Sequence, residues 1–357
     1  MNMECAARIH QYGAPEVLAV EPVEVTAPGP GEVRIRHKAI GLNFVEVYFR
    51  RGTFPVPAFP AILGNEAAGV VEAVGRDVRG VAVGDRVAYA DGPLGSYATA
   101  RLYPADLVVR IPDVISDAQA AASFLRGVTA RSLLKEVVTL QPDDTVLFHA
   151  AAGGVGLLFA QWARALGIRV IGTVSDESKA AVARTAGCFE VINYSKENFV
   201  ERVHTITNGA GVAAVYDAVG RDTFLDSLRT LRPRCTLVMF GKASGDPPLL
   251  DPFLLAPKSL YVTWPVGPST QSIAPNWKLR LRTCSMQFSE ASSMSARAAP
   301  TGSTTSSPLT TIWRAAGSPA PASSFREHGP PELGCSCGRA AHCRSDAYSS
   351  DGRRVFV

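Results

Sequence analysis

The residues with the clearest chemical signature are the glycines of AAGGVG, residues 151–156. They stand between an apolar run, TVLFHA, and a segment with helical spacing. In such a turn Gly153 lets the backbone approach a pyrophosphate, and Gly156 lets the helix pack closely on the strand. The helix N-terminus then offers free N–H groups to the phosphates. Ala151 replaces the first glycine of the usual G-x-G-x-x-G pattern, and a glycine turn without a ligand is the alternative. The complete strand–helix–strand context favours a phosphate site.

The end of the next strand bears on which dinucleotide binds. RVIGTV is followed by Ser175, Asp176 and Lys179, whereas NAD-binding folds place Asp or Glu near this point to hold the ribose hydroxyls. A neutral strand end with a nearby hydroxyl and cation suits the 2′-phosphate of NADPH. Asp176 counts against that preference, and a solvated helix residue is the alternative for Lys179. Tyr194, which ends the segment VINY, is a further candidate beside the 2′-phosphate, with a strand-end tyrosine as its alternative.

The order of the predicted elements defines two domains. Residues 126–264 alternate strands with helices, which predicts an α/β fold with a doubly wound parallel (Rossmann) sheet. Residues 1–125 are β-rich, since EVRIRHKAI at 32–40 alternates polar and apolar residues and short strands follow it. Residues 117–140, which cross the boundary between the two domains, have helical spacing that we expect to be interrupted at Gly127.

Composition limits the classes of function. The chain of 357 residues is 46% hydrophobic and 19% charged, with a net charge of +4. These values indicate a globular protein and give no basic footprint for nucleic acid. We find neither a signal peptide at the start nor an uncharged apolar run of about 18 residues, so no membrane span is predicted. The chain has seven cysteines, an odd number, and those in the first 240 residues are not closely spaced. This pattern suggests free thiols in the cytoplasm.

The chain changes character near residue 265. From 283 to 354 the only Ile or Val is Ile312, and no lysine follows Lys278. Such a segment has too few large apolar residues to offset chain entropy, so we expect residues 265–357 to be a disordered tail. A true extension and out-of-frame translation of a GC-rich gene are the two explanations, and we favour the second.

Several segments, in order, resemble the zinc-independent quinone oxidoreductases, the zeta-crystallin branch of the medium-chain dehydrogenase/reductases. The main match is DDTVLFHAAAGGVGLLFAQWAR, residues 143–164, and the others run from near the start to about residue 263. They include HQYGAPEVL, GLNFVEVYFRRG, LGNEAAGVVEAVG, LRGVTA, VYDAVG and FGKASG. The resemblance implies a GroES-like fold for the N-terminal domain, NADPH as cofactor and a quinone as substrate.

The resemblance also implies roles for particular residues. Asn43, Tyr48 and Thr129 map to polar residues near the nicotinamide, and Tyr48 is placed to donate a hydrogen bond to the developing oxyanion. The alternative is loop bracing for Asn43 and Tyr48, and a helix hinge for Thr129. The remaining candidates hold the cofactor: Gly153, Gly154, Val155, Gly156, Ser175, Lys179, Tyr194 and Phe240. We interpret His149 and Asp217 as structural residues.

The chain departs from the family pattern at several positions. Asn65 stands where the zinc-dependent branch has a histidine, and no cysteine lies between Cys5 and Cys188. We therefore predict no metal site. Phe54 replaces a tyrosine and Lys242 an asparagine. The family's C-terminal segment has no recognisable counterpart, which leaves the activity of this particular chain open.

These observations favour an NADPH-dependent quinone reductase in which hydride passes from nicotinamide C4 without a metal. An enoyl reductase acting on an enone or enoyl thioester, a non-catalytic nucleotide- or RNA-binding protein, and an inactive product are the alternatives. We also expect a homodimer formed by edge strands, for which residues 236–240 and 260–263 are the candidates.

Overall fold

The computed structural model describes residues 3–265. The expectations about the tail fall beyond residue 265 and lie outside the described residues. The described chain forms two lobes: an N-terminal lobe of antiparallel sheets and a nucleotide lobe built on one parallel sheet.

The N-terminal lobe contains a five-stranded and a three-stranded antiparallel sheet, with strand orders β7-β3-β5-β6-β8 and β2-β1-β4. The strands are β1 (Glu4–Ile9), β2 (Leu18–Val23), β3 (Glu32–Ile40), β4 (Ala61–Ile62), β5 (Glu66–Val74), β6 (Arg86–Ala90), β7 (Ala100–Pro104) and β8 (Val109–Arg110). The predicted strand at 32–40 is confirmed. Its alternation buries Val33 and Ile35 against the ring of Tyr89, as the period of a half-buried strand requires.

A short helix, α1 (Val45–Arg50), follows β3 and was not predicted. The sequence analysis identified the GLNFVEVYFRRG segment by its resemblance only. The helix is too short for a helical period to stand out. Its importance is that it carries Tyr48 and the buried Glu46.

The nucleotide lobe contains a six-stranded parallel sheet in the order β11-β10-β9-β12-β13-β14. Its strands are β9 (Thr145–Phe148), β10 (Arg169–Val174), β11 (Glu190–Asn193), β12 (Val212–Asp217), β13 (Leu231–Met239) and β14 (Tyr261–Thr263). Its helices are α2 (Asp117–Ser132), α3 (Gly154–Ala165), α4 (Glu177–Ala186), α5 (Phe199–Ile206) and α6 (Phe224–Thr230). Val146 and Phe148 face the core under α3 and α4, while Leu147 between them faces the core under α5 and α6. The predicted doubly wound sheet is therefore confirmed.

Two expectations about this lobe were wrong. Gly127 does not interrupt a helix, because α2 runs through it; the glycine is buried, and α2 packs against both α3 and the N-terminal sheet. Residues 236–240 do not form an edge, because β13 pairs with both β12 and β14. Within the described chain the outer strand on that side is β14. The predicted domain boundary after residue 125 falls inside α2, and the division at that point stays a prediction.

Candidate functional site

The phosphate loop has the geometry that its glycines predict. Gly153 is the N-cap of α3, and no side chain caps this helix, whereas α2 and α4 are capped by Ser116 and Asp176. The first N–H groups of α3 have no partner within their own helix. They are therefore available to an anion at the end of β9, where the helix dipole also favours negative charge.

Gly156 allows the close helix–strand contact. A Cβ at this position would lie 2.6 Å from the carbonyl oxygen of Ala151. The structure also explains why alanine is tolerated at position 151. A Cβ on Gly172 of β10 would lie 2.6 Å from the Ala151 methyl, so the glycine opposite leaves the room that this methyl occupies.

Ser175, Lys179 and Tyr194 come together at the carboxyl ends of β10 and β11. The Lys179 ammonium donates to Ser175 Oγ at 2.8 Å, and the Tyr194 N–H donates to the Val174 carbonyl at 3.1 Å. The Tyr194 side chain is exposed. Asp176 lies in the same cluster, with its carboxylate 3.3 Å from the Lys179 ammonium. The Lys179 cation and the Ser175 hydroxyl thus lie together at the end of β10, and the exposed Tyr194 follows the neighbouring strand β11.

Tyr48 links the two lobes. Its hydroxyl accepts a hydrogen bond of 2.7 Å from the backbone N–H of Lys242, which follows β13 in the nucleotide lobe. The rings of Phe44 and Phe54 pack on Tyr48 edge-on, each with its centroid 5.3 Å away. Burial raises the pKa of Tyr48 above its usual value. The hydroxyl therefore stays protonated, and its own hydrogen is not needed for the contact with Lys242.

Asn43 lies between two buried carboxyl groups. Its side-chain amide donates to Glu66 Oε2 at 2.9 Å, and its backbone N–H donates to Glu46 Oε2 at 2.8 Å. Burial raises the pKa of each glutamate to about 7. Asn65 donates to Glu46 Oε1 through its backbone and its side chain, each at 3.2 Å. Asn65 is thus a partner of a carboxylate here.

Sequence analysis missed Glu46 and Glu66 as members of the site. Both stand in motifs that carried the resemblance, but a charged residue in an exposed loop and one at full burial look alike in sequence. The signal available in the sequence was that these two glutamates stand close to Asn43 and Asn65 along the chain.

Arg126 was also missed, and it joins the phosphate loop to the N-terminal lobe. Its guanidinium donates to the Leu42 carbonyl at 3.0 Å. A Cβ on Gly154 would lie 2.5 Å from Arg126 Cδ, so the side chain lies directly against the start of α3. Arg126 belongs to the LRGVTA motif. Its side chain fits at the start of α3 because Gly154 has no side chain.

The contacts of Thr129 and Phe240 with the rest of the candidate site are indirect. The Thr129 hydroxyl donates to the Leu125 carbonyl one turn earlier in α2, at 2.8 Å, which leaves it only lone pairs to offer a ligand. Leu125 in turn donates its N–H to Glu66 at 2.7 Å, so Thr129 lies close to the Asn43 cluster. Phe240 is half-buried, and its ring packs 5.6 Å from that of Phe148.

His149 is buried and fully engaged by neighbouring hydroxyls. One ring nitrogen lies 2.9 Å from Thr173 Oγ1 and the other 2.9 Å from Ser227 Oγ. Burial lowers its pKa. Asp217 accepts hydrogen bonds from the Val219 N–H and the Thr223 hydroxyl at 2.7 Å each. These contacts agree with the structural interpretation of both residues.

Residues 3–265 contain no group of three or more His, Cys, Asp or Glu side chains arranged to hold a metal ion. In the same residues no helix has the length and hydrophobicity that crossing a membrane requires.

A doubly wound sheet with an open phosphate loop, joined to a β-rich lobe by a tyrosine at the junction, defines a dinucleotide-dependent oxidoreductase. Comparisons with known proteins agree with this class. Residues 29–113 match the alcohol dehydrogenase GroES-like domain, and residues 154–279 match the family described as zinc-binding dehydrogenase.

Relatives narrow the class further. The chain is 50% identical to a quinone oxidoreductase of Pseudomonas aeruginosa over 71% of its length and 78% of that protein. It is 46% identical to a 2-haloacrylate reductase of Burkholderia over 74% of its length and 81% of that protein. The crystal structure of Escherichia coli quinone oxidoreductase complexed with NADPH aligns with a TM-score of 0.77 at 40% identity, covering 87% of this chain and 95% of that one. The chain therefore belongs to the quinone oxidoreductase branch of the medium-chain dehydrogenase/reductase superfamily.

Proposed function

We propose that this chain transfers hydride from NADPH to a quinone, at the junction between the two lobes and without a metal. The chain is an oxidoreductase of the quinone oxidoreductase branch, with a small-molecule substrate and NADPH as its cofactor. The observation that carries the proposal is the Tyr48 hydroxyl, held by the Lys242 N–H of the opposite lobe.

The residues present fit NADPH. The uncapped N–H groups of Gly154, Val155 and Gly156 would hold the pyrophosphate, and Gly153 would give the backbone room to approach it. Lys179 and Ser175 bind the 2′-phosphate through charge-assisted hydrogen bonds, with the Tyr194 ring alongside. When bound, NADPH supplies a hydride at nicotinamide C4.

Tyr48 acts as the hydrogen-bond donor to the substrate. Because its oxygen already accepts from Lys242, its hydrogen is free to point toward a quinone oxygen that gains negative charge. The raised pKa keeps it protonated throughout the neutral range. A quinone is a good hydride acceptor, so one positioned donor and a water-poor cleft are the assistance that it needs.

Asn43, Thr129 and Phe240 orient the nicotinamide end. Asn43 is fixed by Glu46 and Glu66, which sets the direction of its remaining amide hydrogen. Thr129 offers lone pairs to an N–H group such as that of a carboxamide. Phe240 closes the apolar side near the end of β13.

A second candidate substrate is an activated alkene, such as an enone or an enoyl or acrylate derivative. The observation that favours it is the 46% identity to a 2-haloacrylate reductase, which is as high as the identity to a quinone oxidoreductase of Escherichia coli. In both substrate classes a conjugated system accepts the hydride, at the alkene carbon in the case of the alkene, and negative charge then develops on an oxygen that a hydrogen bond can stabilise.

We propose a homodimer, with β14 as the interface strand. Tyr261 of β14 is 55% exposed and Phe253, which precedes this strand, is 82% exposed. Within residues 3–265 no strand pairs with the outer side of β14, so its backbone groups are candidates for pairing with a second copy. A cytoplasmic location and independence of zinc belong to the same proposal. Sedimentation should give a dimer at micromolar concentration, and a monomer there would contradict this interface.

Steady-state oxidation of NADPH with 1,4-benzoquinone and with 2-chloroacrylate tests the function and separates the two substrates. We expect faster turnover of the quinone. Tyr48→Phe should lower kcat by about 10-fold or more, since one positioned donor to an oxyanion contributes about that much or more.

Tyr12→Phe is the matched control, because the Tyr12 hydroxyl also accepts from a backbone N–H, that of Val56 at 3.1 Å, but within the N-terminal lobe. Equal losses in the two variants would contradict the proposed role of Tyr48, and turnover of the acrylate alone would contradict the quinone as the substrate.

A further inference from the structure

Asp176 places a negative charge inside the cluster that binds the 2′-phosphate. Its Oδ2 atom accepts from the Ser175 hydroxyl at 3.0 Å and lies 3.3 Å from the Lys179 ammonium. We propose that Asp176 is a specificity-determining residue that weakens the preference for NADPH and lets the same site accept NADH. This inference rests on the proposed binding of the adenosine end by Ser175 and Lys179.

The competition follows from the contacts of Lys179. Its ammonium is shared between Ser175 and Asp176, so a 2′-phosphate must take over a cation that a carboxylate already partly neutralises. The phosphate also arrives with about −1.5 to −2 charges next to a charge of the same sign. The 2′-hydroxyl of NADH meets the opposite situation, because a carboxylate accepts hydrogen bonds from a ribose hydroxyl.

The two carboxylate oxygens of Asp176 have different partners. Oδ1 caps α4 by accepting from the Lys179 N–H at 2.9 Å and from the Ser178 hydroxyl at 2.5 Å. Oδ2 faces Ser175 and the Lys179 ammonium. Serine, asparagine and aspartate are similar N-caps. Asp176→Ser therefore keeps a cap for α4 and removes the oxygen and the charge that face the 2′ position.

Glu177 provides a matched control one residue further along. Its carboxylate accepts from Asn193 Nδ2 at 3.2 Å and Lys196 Nζ at 3.1 Å, which are different partners from those of Asp176. Glu177→Gln changes the net charge by the same amount at the same end of the sheet. A general electrostatic effect would appear in both variants, whereas a specific one appears only at Asp176.

The test measures the dissociation constants of NADPH and NADH for the full chain by fluorescence titration. We expect Asp176→Ser to raise the preference for NADPH over NADH by about five- to tenfold, the effect of removing one charge about 4 Å away at a hydrated surface. Asp176→Asn should shift it in the same direction, which guards against a folding defect in one variant. Glu177→Gln should leave the preference unchanged.

Lys179→Ala separates this inference from the site on which it rests. If Lys179→Ala weakens NADPH but neither Asp176 variant changes the preference, Asp176 has no role in specificity while the phosphate site stands. If Lys179→Ala weakens both cofactors equally, the proposed 2′-phosphate site is wrong, and the inference about Asp176 falls with it.

Discussion

The two lobes bury their polar groups in different places. In the nucleotide lobe both faces of the sheet are apolar, and buried polar residues such as His149, Thr173 and Asp217 lie at or near the carboxyl ends of strands. In the N-terminal lobe, charged and polar groups lie within the sheets themselves. Glu4 of β1 is 3% exposed and is bound by Arg34 and Arg36 of β3.

The difference shows how each lobe is stabilised and where chemistry resides. An apolar parallel sheet holds its strand ends rigidly, so the cofactor site follows directly from local motifs in the chain. The N-terminal lobe depends on ion pairs and buried carboxyl groups whose partners are far apart in sequence. The stability of the N-terminal lobe should therefore change when a single charge is removed or the pH is changed. The stability of the nucleotide lobe should instead change when the volume of a core side chain is altered.

The largest expected effect is the loss of the buried ion pair at Glu4. Glu4 accepts from Arg34 at 2.9 Å, from Arg36 at 2.6 Å and from the Thr99 hydroxyl at 2.6 Å. Glu4→Gln leaves two arginines without this partner, and breaking a buried pair costs about 3–5 kcal/mol of unfolding free energy. Urea unfolding measures the loss.

Glu21→Gln is the control, because Glu21 pairs with Arg8 and His10 at the surface of the same sheet. An exposed ion pair contributes much less to stability than a buried one, since solvent screens it. Similar losses for the two variants would show that burial of Glu4 does not matter.

The second expected effect is a pH dependence that comes from Glu66. Burial raises its pKa from 4.5 to about 7, so the folded protein binds this proton more tightly than the unfolded chain. Its contribution is fully present below pH 4.5 and is lost as the pH rises to about 7. The shift corresponds to a stability change on the order of 3 kcal/mol. Glu4, whose pKa is lowered to about 2, acts in the opposite direction, because its contribution is fully present above about pH 4.5 and is lost as the pH falls toward 2.

Thermal unfolding midpoints between pH 5 and pH 8 measure this dependence. We expect the midpoint to fall as the pH rises in the wild type and to fall less in Glu66→Gln, which cannot titrate. An identical slope in both proteins would assign the pH dependence to other groups.

Substitutions of two glycines in the phosphate loop should have smaller effects and should separate a loss of stability from a loss of cofactor binding. Gly156→Ala places a Cβ 2.6 Å from a backbone oxygen, and such overpacking costs about 1–3 kcal/mol. At Gly153 a Cβ would meet only the Ala150 carbonyl oxygen, at 3.0 Å, and the backbone is extended. Gly153→Ala should therefore keep most of the stability.

NADPH titrations and thermal unfolding of both variants provide the test. We expect Gly153→Ala to weaken NADPH by about tenfold, through lost backbone approach to the pyrophosphate, with little change in stability. Unchanged affinity in Gly153→Ala would remove Gly153 from the cofactor site.

Sequence reasoning succeeded where a few neighbouring residues determine the structure. The strand at 32–40 and the phosphate loop follow from local periodicity and backbone freedom. Ser175 and Lys179 lie close together in the structure because both follow the end of β10, and their role in cofactor binding stays a prediction.

The misses have long-range causes. Glu66 contacts Asn43 and Leu125, and no local pattern announces such pairings. Strand order likewise depends on pairing across the sheet, so residues 236–240 could not be recognised as internal before β14 was placed beside them. Gly127 looked like a helix break because glycine disfavours helices locally, but α2 packs there against the N-terminal sheet and α3.

The most direct test of the proposed chemistry is a single-turnover experiment on the full chain with NADPH bound. The protein is treated overnight with a strong chelator, mixed rapidly with 1,4-benzoquinone, and the loss of NADPH is followed. We expect oxidation at the same rate as in untreated protein, and a rate lower by about tenfold or more in Tyr48→Phe. No oxidation by the quinone, or oxidation that returns only when zinc is added, would contradict metal-free hydride transfer at the lobe junction.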